Sequence, residues 1–428
     1  MRAIADLHIH GRYSRATSQR MCIEEIARFA KVKGLNIVGT GDFTHPKWLR
    51  ELQETLAPES DSGLYKVVNS PNSSIFFVIT TEVSTIFTFE KDVKKIHHVI
   101  LTPSIETAVQ INDRLANYGD LAVDGRPTLN MNAAQLVEEV MEASSENMVF
   151  PAHAWTPWFS IFGAFSGFNG VEECYQDMTK HIHALETGLS SDPPMNWRLS
   201  KLDDFALVSN SDSHSFWPWR IGREANVFEL RKLSYHEILD AIGSREKEKF
   251  RFTIETNPAY GKYHWTGHRN CHIALSPQEA IKFGNICPIC RRTLTKGVEQ
   301  RVEELADRPA GFKPEAASGF VHLLPLSEII ATVLGVDSPS PQNVWNVYNL
   351  LVGKFGDEYT VLLDSSQEAL SKTVEEKIAE AIIRVREGHV KVVPGYDGVY
   401  GRLEIFDESF TEKVSRQRVQ QMNLTDFI

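Results

Sequence analysis

Two histidines alternate in Asp6-Leu7-His8-Ile9-His10, close to the start of the chain. On an extended strand, side chains two apart point to one face, so both imidazoles could grip one ion. Further along, His or a carboxylate recurs wherever an apolar run ends. These are Asp42 in GTGDF, Glu82 in TTEVS, His98 in HHVIL, His153 in PAHAW, and Asp212 with His214 in SDSH. His97 adjoins His98 and is the alternative ligand there. A dispersed set of imidazoles and carboxylates is the donor set of clustered divalent ions. Such clusters suit phosphoester hydrolysis, because they activate a water and polarise the phosphoryl oxygens. No serine or cysteine nucleophile is then required, and none is evident. A second His-x-His, His181 and His183 in KHIHALETG, reads as structural, on a helix entering a strand.

A different constellation follows. His268 and Cys271 form one pair with two residues between them, and Cys287 and Cys290 form another. Two such pairs match a structural zinc site of the Cys3His kind. His264 and His272 are the alternatives to His268, which alone pairs with Cys271 at the right spacing. Four protein ligands leave no open position, so this ion would serve folding rather than chemistry. The basic residues nearby, Lys262, Arg269, Arg291, Arg292 and Lys296, could contact a phosphate backbone. Of the five cysteines, only Cys22 and Cys174 fall outside this group, and both read as core. Clustered cysteines point to metal in a reducing compartment rather than to disulfides.

The elements that must hold these residues divide the chain into four stretches. Over residues 1–256, strand-like runs (LNIVGTGDF, SIFFVITTEV, HHVILTP, NMVFPAHAW, FALVSNSDSH) alternate with helical patterns such as IEEIARFAKVKG and AAQLVEEVMEASSE. That alternation predicts an α/β fold with a parallel sheet or barrel, with the polar residues where the strands end. Residues 257–312 break the pattern with dense Gly, Pro, His and Cys and form the zinc-binding module. Residues 313–415 read as a helical C-terminal domain, through PLSEIIATVLG, NVWNVYNLLVGKFG and VEEKIAEAIIRVREG, followed by the glycine-rich PGYDGVYG. Residues 416–428 are a mostly polar tail with an apolar finish.

With 42% hydrophobic and 24% charged residues, the 428-residue chain has the balance of a globular protein able to bury a sizeable core. No apolar run reaches the roughly 18 residues of a membrane span. The start, MRAIADLHIHGRYS, enters a polar motif too soon for a signal peptide, so a cytoplasmic location is expected. The net charge of −11 and pI near 5.8 run against a uniformly basic nucleic-acid binder. Metal-binding carboxylates contribute to that charge, and a basic groove can sit on an acidic protein.

The HxH motif with its strand-end ligands resembles the PHP family of metallohydrolases. The resemblance implies a distorted barrel of about seven strands and two or three ions of zinc, manganese or magnesium. It implies that His8, His10, Glu82 and Asp212 hold the first ion. Glu82, His98 and His153 would hold the second, with Glu82 bridging, and Asp42 with His214 a third. His98 is preferred to His97 because the family's ligand directly precedes apolar strand residues, as His98 precedes Val99 and Ile100. Glu82, Asp212 and His153 would be the catalytic residues. The chain departs from the pattern at Tyr13-Ser14-Arg15, where many members carry Asp or His, and at Asp42, where many have His. Arg15 has no lone pair to offer a metal.

Across nearly its whole length the chain resembles endonuclease Q, a PHP-domain DNA repair family. The segments GTGDF, ETGLSSDPPMNWRLS, SNSDSHS, ICPIC, RVEELADRP and PGYDGVYG carry the match. The resemblance implies cleavage on the 5′ side of uracil, hypoxanthine, xanthine or an abasic site, leaving a 3′-hydroxyl. A damaged base must leave the stack to be inspected. Trp155, Trp158 and Phe159 follow His153, and Phe216, Trp217 and Trp219 follow His214. These aromatics could wedge the duplex or stack on the base. The tail's Gln421, Leu424, Phe427 and Ile428 resemble the PCNA-interacting peptide, which implies a sliding clamp as partner. Two other classes compete: a PHP-type phosphatase acting on a small metabolite, and a non-catalytic clamp-binding adaptor. The zinc module and tail argue against the first, and the ligand set against the second.

Overall fold

The His8–His10 segment leaves the end of a short buried strand, β1 (Arg2–Asp6). In the computed structural model, which describes residues 1–70 and 73–406, six further strands close a ring around it. They are β2 (Ile37–Gly39), β3 (Phe76–Phe89), β4 (Asp92–Thr102), β5 (Met148–Pro151), β6 (Ala184–Glu186) and β7 (Ala206–Val208). β1 runs parallel to β2 and β2 to β3, while β4 lies antiparallel to both β3 and β5. β6 and β7 are parallel. The ring closes irregularly, by a bridge of Val149 with Ile182 on one side of the β6–β7 pair and of Ile9 with Ser213 on the other. Polar side chains complete the seam, with Asn210 Oδ1 accepting from the Leu7 N–H at 2.8 Å. This is the distorted seven-strand α/β barrel expected from the sequence.

Strict strand–helix alternation fails at β3 and β4. They form a long hairpin whose two-residue turn places Glu90 in the left-handed region (φ 56°). Three more strands, β8 (Ala225–Glu229), β9 (Phe250–Glu255) and β10 (Gly319–His322), extend the sheet from the free edge of β1. β10 belongs to the stretch read as helical, so the sheet reaches past residue 256.

Inside the barrel, alternate residues such as Ala3, Ala5, Leu7, Val78, Val99, Leu101 and Phe150 form one apolar cluster. A helix, α1 (Ile23–Lys33), packs on the other face through Ile26, Phe29 and Ala30. Its last residue is a fully buried lysine. Lys33 Nζ donates to Glu358 Oε1 at 2.7 Å and to the Pro218 carbonyl at 2.9 Å. Glu358 also accepts from the Leu326 N–H and the Tyr348 hydroxyl. Burying one charge is costly, but here two opposite charges pair and three further groups hydrogen-bond to them. The pair ties α1 to the C-terminal helices α2 (Leu326–Leu334) and α3 (Gln342–Phe355), and α4 (Glu376–Arg386) packs against α2. No helix among the described residues is long and apolar enough to cross a membrane.

Candidate metal centre

The strand ends converge on one rim. Glu82, buried in mid-β3, is the hinge of the site. Its Oε2 lies 3.2 Å from His10 Nε2 and 3.5 Å from His8 Nε2, and Asp212 Oδ1 lies 3.0 Å from the same His10 nitrogen. Its Oε1 lies 2.8 Å from His97 Nδ1 and 3.1 Å from His153 Nε2. The ligand atoms of His8, His10, Glu82 and Asp212 all fall within 4.8 Å of one another, as do those of Glu82, His97 and His153. Two ligand sets thus share one carboxylate. His8 Nε2 is buried and has no hydrogen-bond partner among the described residues. Imidazole lone pairs and carboxylates aimed at common points fit divalent cations such as zinc or manganese.

Second partners orient the rings. Glu186 Oε1 and Oε2 lie 3.1 Å from His8 Nδ1, and Asp42 Oδ1 lies 2.9 Å from His10 Nδ1. Thr156 Oγ1 lies 3.0 Å from His153 Nδ1. Each arrangement leaves Nε2 free for a cation. The backbone is strained at three of these positions: Asp42, His153 and Asp212 have φ of 54°, 30° and 48°. Such conformations persist only where the surroundings enforce them, and they cluster at functional sites. Gly188 is part of that enforcement, because a Cβ there would lie 2.7 Å from His153 Cβ.

Electrostatics separate the groups. Burial opposes ionisation of Glu82, but Arg126 and the neighbouring histidines outweigh it and hold the carboxyl well below its ordinary range. Burial pushes His97 down to about 4 and His98 to about 3, so both rings are neutral near pH 7. Arg126 Nη1 donates to Glu82 Oε2 at 3.0 Å. Neither Arg126 nor Glu186 was singled out from the sequence. Arg126 stands in an irregular loop with no motif around it. Glu186 ends β6 in HALETG and could have been found by the strand-end rule that found the others.

Several sequence-based choices are corrected. His98 is turned away, with Nε2 2.9 Å from Thr85 Oγ1 and Nδ1 2.8 Å from the Tyr175 hydroxyl. The cause is strand alternation: Glu82 pairs with Val99, whose face is shared by His97, two residues away, and not by His98. Asp42 and His214 join neither ligand set. Asp42 is spent on His10 and on the Gly11 N–H at 2.6 Å. His214 packs its ring 4.3 Å from that of His10, with Nδ1 3.0 Å from the Asp212 carbonyl. Trp155 and Phe216 are buried and so are unable to touch a ligand. Trp155 Nε1 donates to Asn196, and Phe216 packs on Phe29. Trp217 is half-buried, stacked on Trp219 and beside Trp345 of the C-terminal helices. Trp158 is 43% exposed beside the centre, and Arg291 and Arg292 are exposed on the zinc module.

In that module, His268, Cys271, Cys287 and Cys290 come together, their ligand atoms within 4.8 Å of one another. Burial opposes ionisation of Cys287, but the N–H groups of Cys290 and Ile289 and the His268 ring bring its thiol down to about 6. His264 instead lies 3.4 Å from Glu299. Two glycines of PGYDGVYG, Gly395 and Gly401, lie against protein backbone. A Cβ on Gly395 would lie 2.3 Å from the Gly261 carbonyl oxygen. The tail residues Gln421, Leu424, Phe427 and Ile428 lie outside the described residues.

Between the rim and the module lies a cavity of about 320 Å³. Its walls include His97, His153 and Asp212 from the centre, Trp158 and Phe159 from the loop after β5, and His264 and Tyr400 opposite.

A distorted barrel whose rim holds two ligand sets bridged by one carboxylate defines a metal-dependent hydrolase of the PHP type. The chain is similar over 98% of its length, at 33% identity and a TM-score of 0.85, to the whole of the lesion-specific endonuclease PfuEndoQ of Pyrococcus furiosus. At the same identity and a TM-score of 0.83, 99% of the chain matches the whole of an endonuclease Q bound to a 27-mer duplex with an abasic lesion at the active site. The chain belongs to the endonuclease Q family, a family of metal-dependent nucleases. Residues 325–389 match the family described as the MJ0043 C-terminal domain. An uncharacterised Bacillus subtilis protein, YqxK, is 27% identical over 94% of this chain and 98% of its own length. MJ0043 of Methanocaldococcus jannaschii, also uncharacterised, is 32% identical over 59% of this chain, which spans only 31% of that longer protein.

Proposed function

We propose that this chain is a DNA repair endonuclease that hydrolyses the phosphodiester bond on the 5′ side of deaminated bases and abasic sites. The observation that carries this reading is the sharing of His97, His153 and Asp212 between the metal centre and the cavity. A base turned out of the duplex into that cavity would set its own 5′ phosphate beside the centre. Trp158 and Phe159 offer faces for stacking. His8, His10, Glu82 and Asp212 would hold one ion, and Glu82, His97 and His153 the other. Bound there, divalent ions (zinc, manganese or magnesium) lower the pKa of a water and stabilise charge on the phosphoryl oxygens. Asp212, with 30% of its side chain exposed, is the most open of the ligands that line the cavity. Arg126 adds a fixed positive charge beside Glu82, where it would oppose the charge gathering on the phosphate. Attack by water expels the 3′ oxygen of the preceding nucleotide, leaving a 3′-hydroxyl and a 5′-phosphate. The cysteine module would carry one structural zinc, and Leu424 and Phe427 would plug a sliding clamp of the PCNA type.

End-labelled duplexes carrying uracil, hypoxanthine, xanthine or an abasic site test the reading, run beside p-nitrophenyl phosphate. A nick at the 5′ side of the lesion, extendable by a polymerase, is the expected result. Turnover of the small ester with every duplex left intact would make the protein a phosphatase of small metabolites. For the tail, calorimetry with the PCNA-type clamp of the same organism should show at least a tenfold loss of affinity in Phe427→Ala. Equal affinities would remove the clamp as partner.

A further inference from the structure

One ligand of the rim is held differently from its neighbours. His8, His10 and Glu82 have buried side chains, and each meets a partner that orients it: Glu186, Asp42 and Arg126. The Asp212 side chain is 30% exposed, and its Oδ1 meets imidazole nitrogens, of His10 at 3.0 Å, His214 at 3.7 Å and His8 at 3.8 Å. Packing does not fix this carboxylate, so its backbone must. That backbone lies four residues beyond the end of β7, in the left-handed region. The residues on either side of it are gripped. The Ser211 N–H and hydroxyl donate to the Asp6 carboxylate at 3.1 and 2.5 Å. The Ser211 carbonyl, which belongs to the peptide entering Asp212, accepts from Arg223 Nε at 3.2 Å and from Arg223 Nη2 at 3.0 Å. Beyond Asp212, the Ser213 carbonyl accepts from the His10 N–H at 2.9 Å. Arg223 is braced in turn through its neighbour Gly222. The Gly222 N–H donates to Asp6 Oδ2 at 2.8 Å, and the Gly222 carbonyl accepts from the Tyr359 hydroxyl of the C-terminal region.

We propose that Arg223 is a positioning residue for the metal ligand Asp212: its two N–H groups on the Ser211 carbonyl hold the turn from which the carboxylate reaches the ion. The inference rests on the functional reading above, in which His8, His10, Glu82 and Asp212 hold one of two rim ions. A left-handed φ on a residue other than glycine persists only while its surroundings enforce it. A planar guanidinium gives one oxygen two donors in a fixed orientation, which an ammonium group does not. Without that grip the turn relaxes toward an ordinary φ, and the carboxylate shifts with it. The ion of the first set then loosens. The ion held by Glu82, His97 and His153 keeps its three ligands, and so does the zinc of the cysteine module.

Metal retention by the full chain tests this, counted per chain after dialysis against a graded series of chelator concentrations. Arg223→Met keeps the length of the side chain and loses its donors. In this variant one rim ion should leave at a chelator concentration about tenfold or more below that needed for the original protein. A two-ion form should therefore appear where the original protein still holds three. Arg223→Lys, with one donating group, should fall between them. Nicking supplies the second readout. Arg223→Met should need about tenfold more added manganese to reach half its maximal rate, with a thermal midpoint in metal-replete buffer near the original. Equal ion retention in both variants and the original would overturn the assignment. So would unfolding of both variants with all ions lost together, since Arg223 would then serve the fold and not the ligand. If the original protein carries no rim ions, the ligand role of Asp212 falls and this inference with it. If it carries them but nicks no lesion-bearing duplex, the functional reading fails alone, and ion retention still decides the role of Arg223.

Discussion

The molecule has two places built to hold metal, and they are made in opposite ways. The cysteine module draws its four ligands from within 23 residues of chain, on a small hairpin and a knuckle. The rim of the barrel draws its ligands from residues 8 to 212, delivered by separate strands. In the module, four protein side chains would close the coordination shell of an ion, and Cys290 is exposed at the surface. On the rim, the shared Glu82 is fully buried while Asp212 stays open to a cavity. A closed site can only hold chain together, whereas an open one can take substrate. Removing a ligand should therefore unfold one region and silence the other.

The largest effect is expected at the module. Structural zinc contributes on the order of 10 kcal/mol to the folding of small zinc domains. Cys287→Ser should release one metal per chain and lower the thermal midpoint or the soluble yield, and Cys290→Ser should do the same. If both variants keep their metal and their midpoint, the module is held by packing alone and the contrast disappears.

His97 and His98 sharpen the other half of the comparison, since adjacent residues should fail differently. His97→Ala removes a ligand of one set, so nicking should fall at least about a hundredfold with little change in midpoint. His98→Ala strips partners from the Tyr175 hydroxyl and Thr85 Oγ1, at a cost of about 1–3 kcal/mol in stability. Its nicking rate per folded molecule should stay at the original level. The reverse pattern would return the ligand role to His98.

How much of each region could be read from the sequence follows from the same contrast. The module was legible because its ligands are close in the chain and spacing alone defines the site. The rim was legible in outline because ligand-type residues recur on or just after successive strands, and the structure brings His8, His10, Glu82, His153 and Asp212 of that set together. Choosing between His97 and His98 needed the β3–β4 register, and no local pattern supplies that. Arg126 and Glu186 act across the barrel, and Asp42 has the right chemistry but is engaged by His10. Aromatic residues next to ligands divide into cavity wall and core, because Trp158 and Trp155 differ in burial and not in sequence context. β10 was lost inside a helical stretch, since four residues are too few to show a period.

A smaller effect probes the polar layer beneath the rim, which has no counterpart in the module. Glu224 and Glu255 share the Ser209 hydroxyl, each at 3.2 Å, and burial raises the Glu224 carboxyl to about 8. The folded state therefore keeps a proton that the unfolded chain releases near its ordinary value of 4.5. The stability this group contributes is complete below about pH 4.5 and is lost as pH rises toward 8. Glu224→Gln mimics the protonated form and should remove about 1–2 kcal/mol of that decline, seen as a flatter midpoint between pH 5 and 8. An unchanged slope would mean that Glu224 is not the group holding the proton.

The Glu82-bridged centre is expected to bind two ions and to perform the cut. Metal content and single-turnover nicking, measured on the same preparations of the original protein and of Glu82→Ala, test it directly. The original protein should carry three ions per chain, two at the rim and one at the module, and should nick on the 5′ side of uracil or an abasic site. Glu82→Ala should keep one ion and its fold while nicking falls by about a thousandfold. Three ions retained in the variant, or undiminished nicking in metal-replete buffer, would contradict the account.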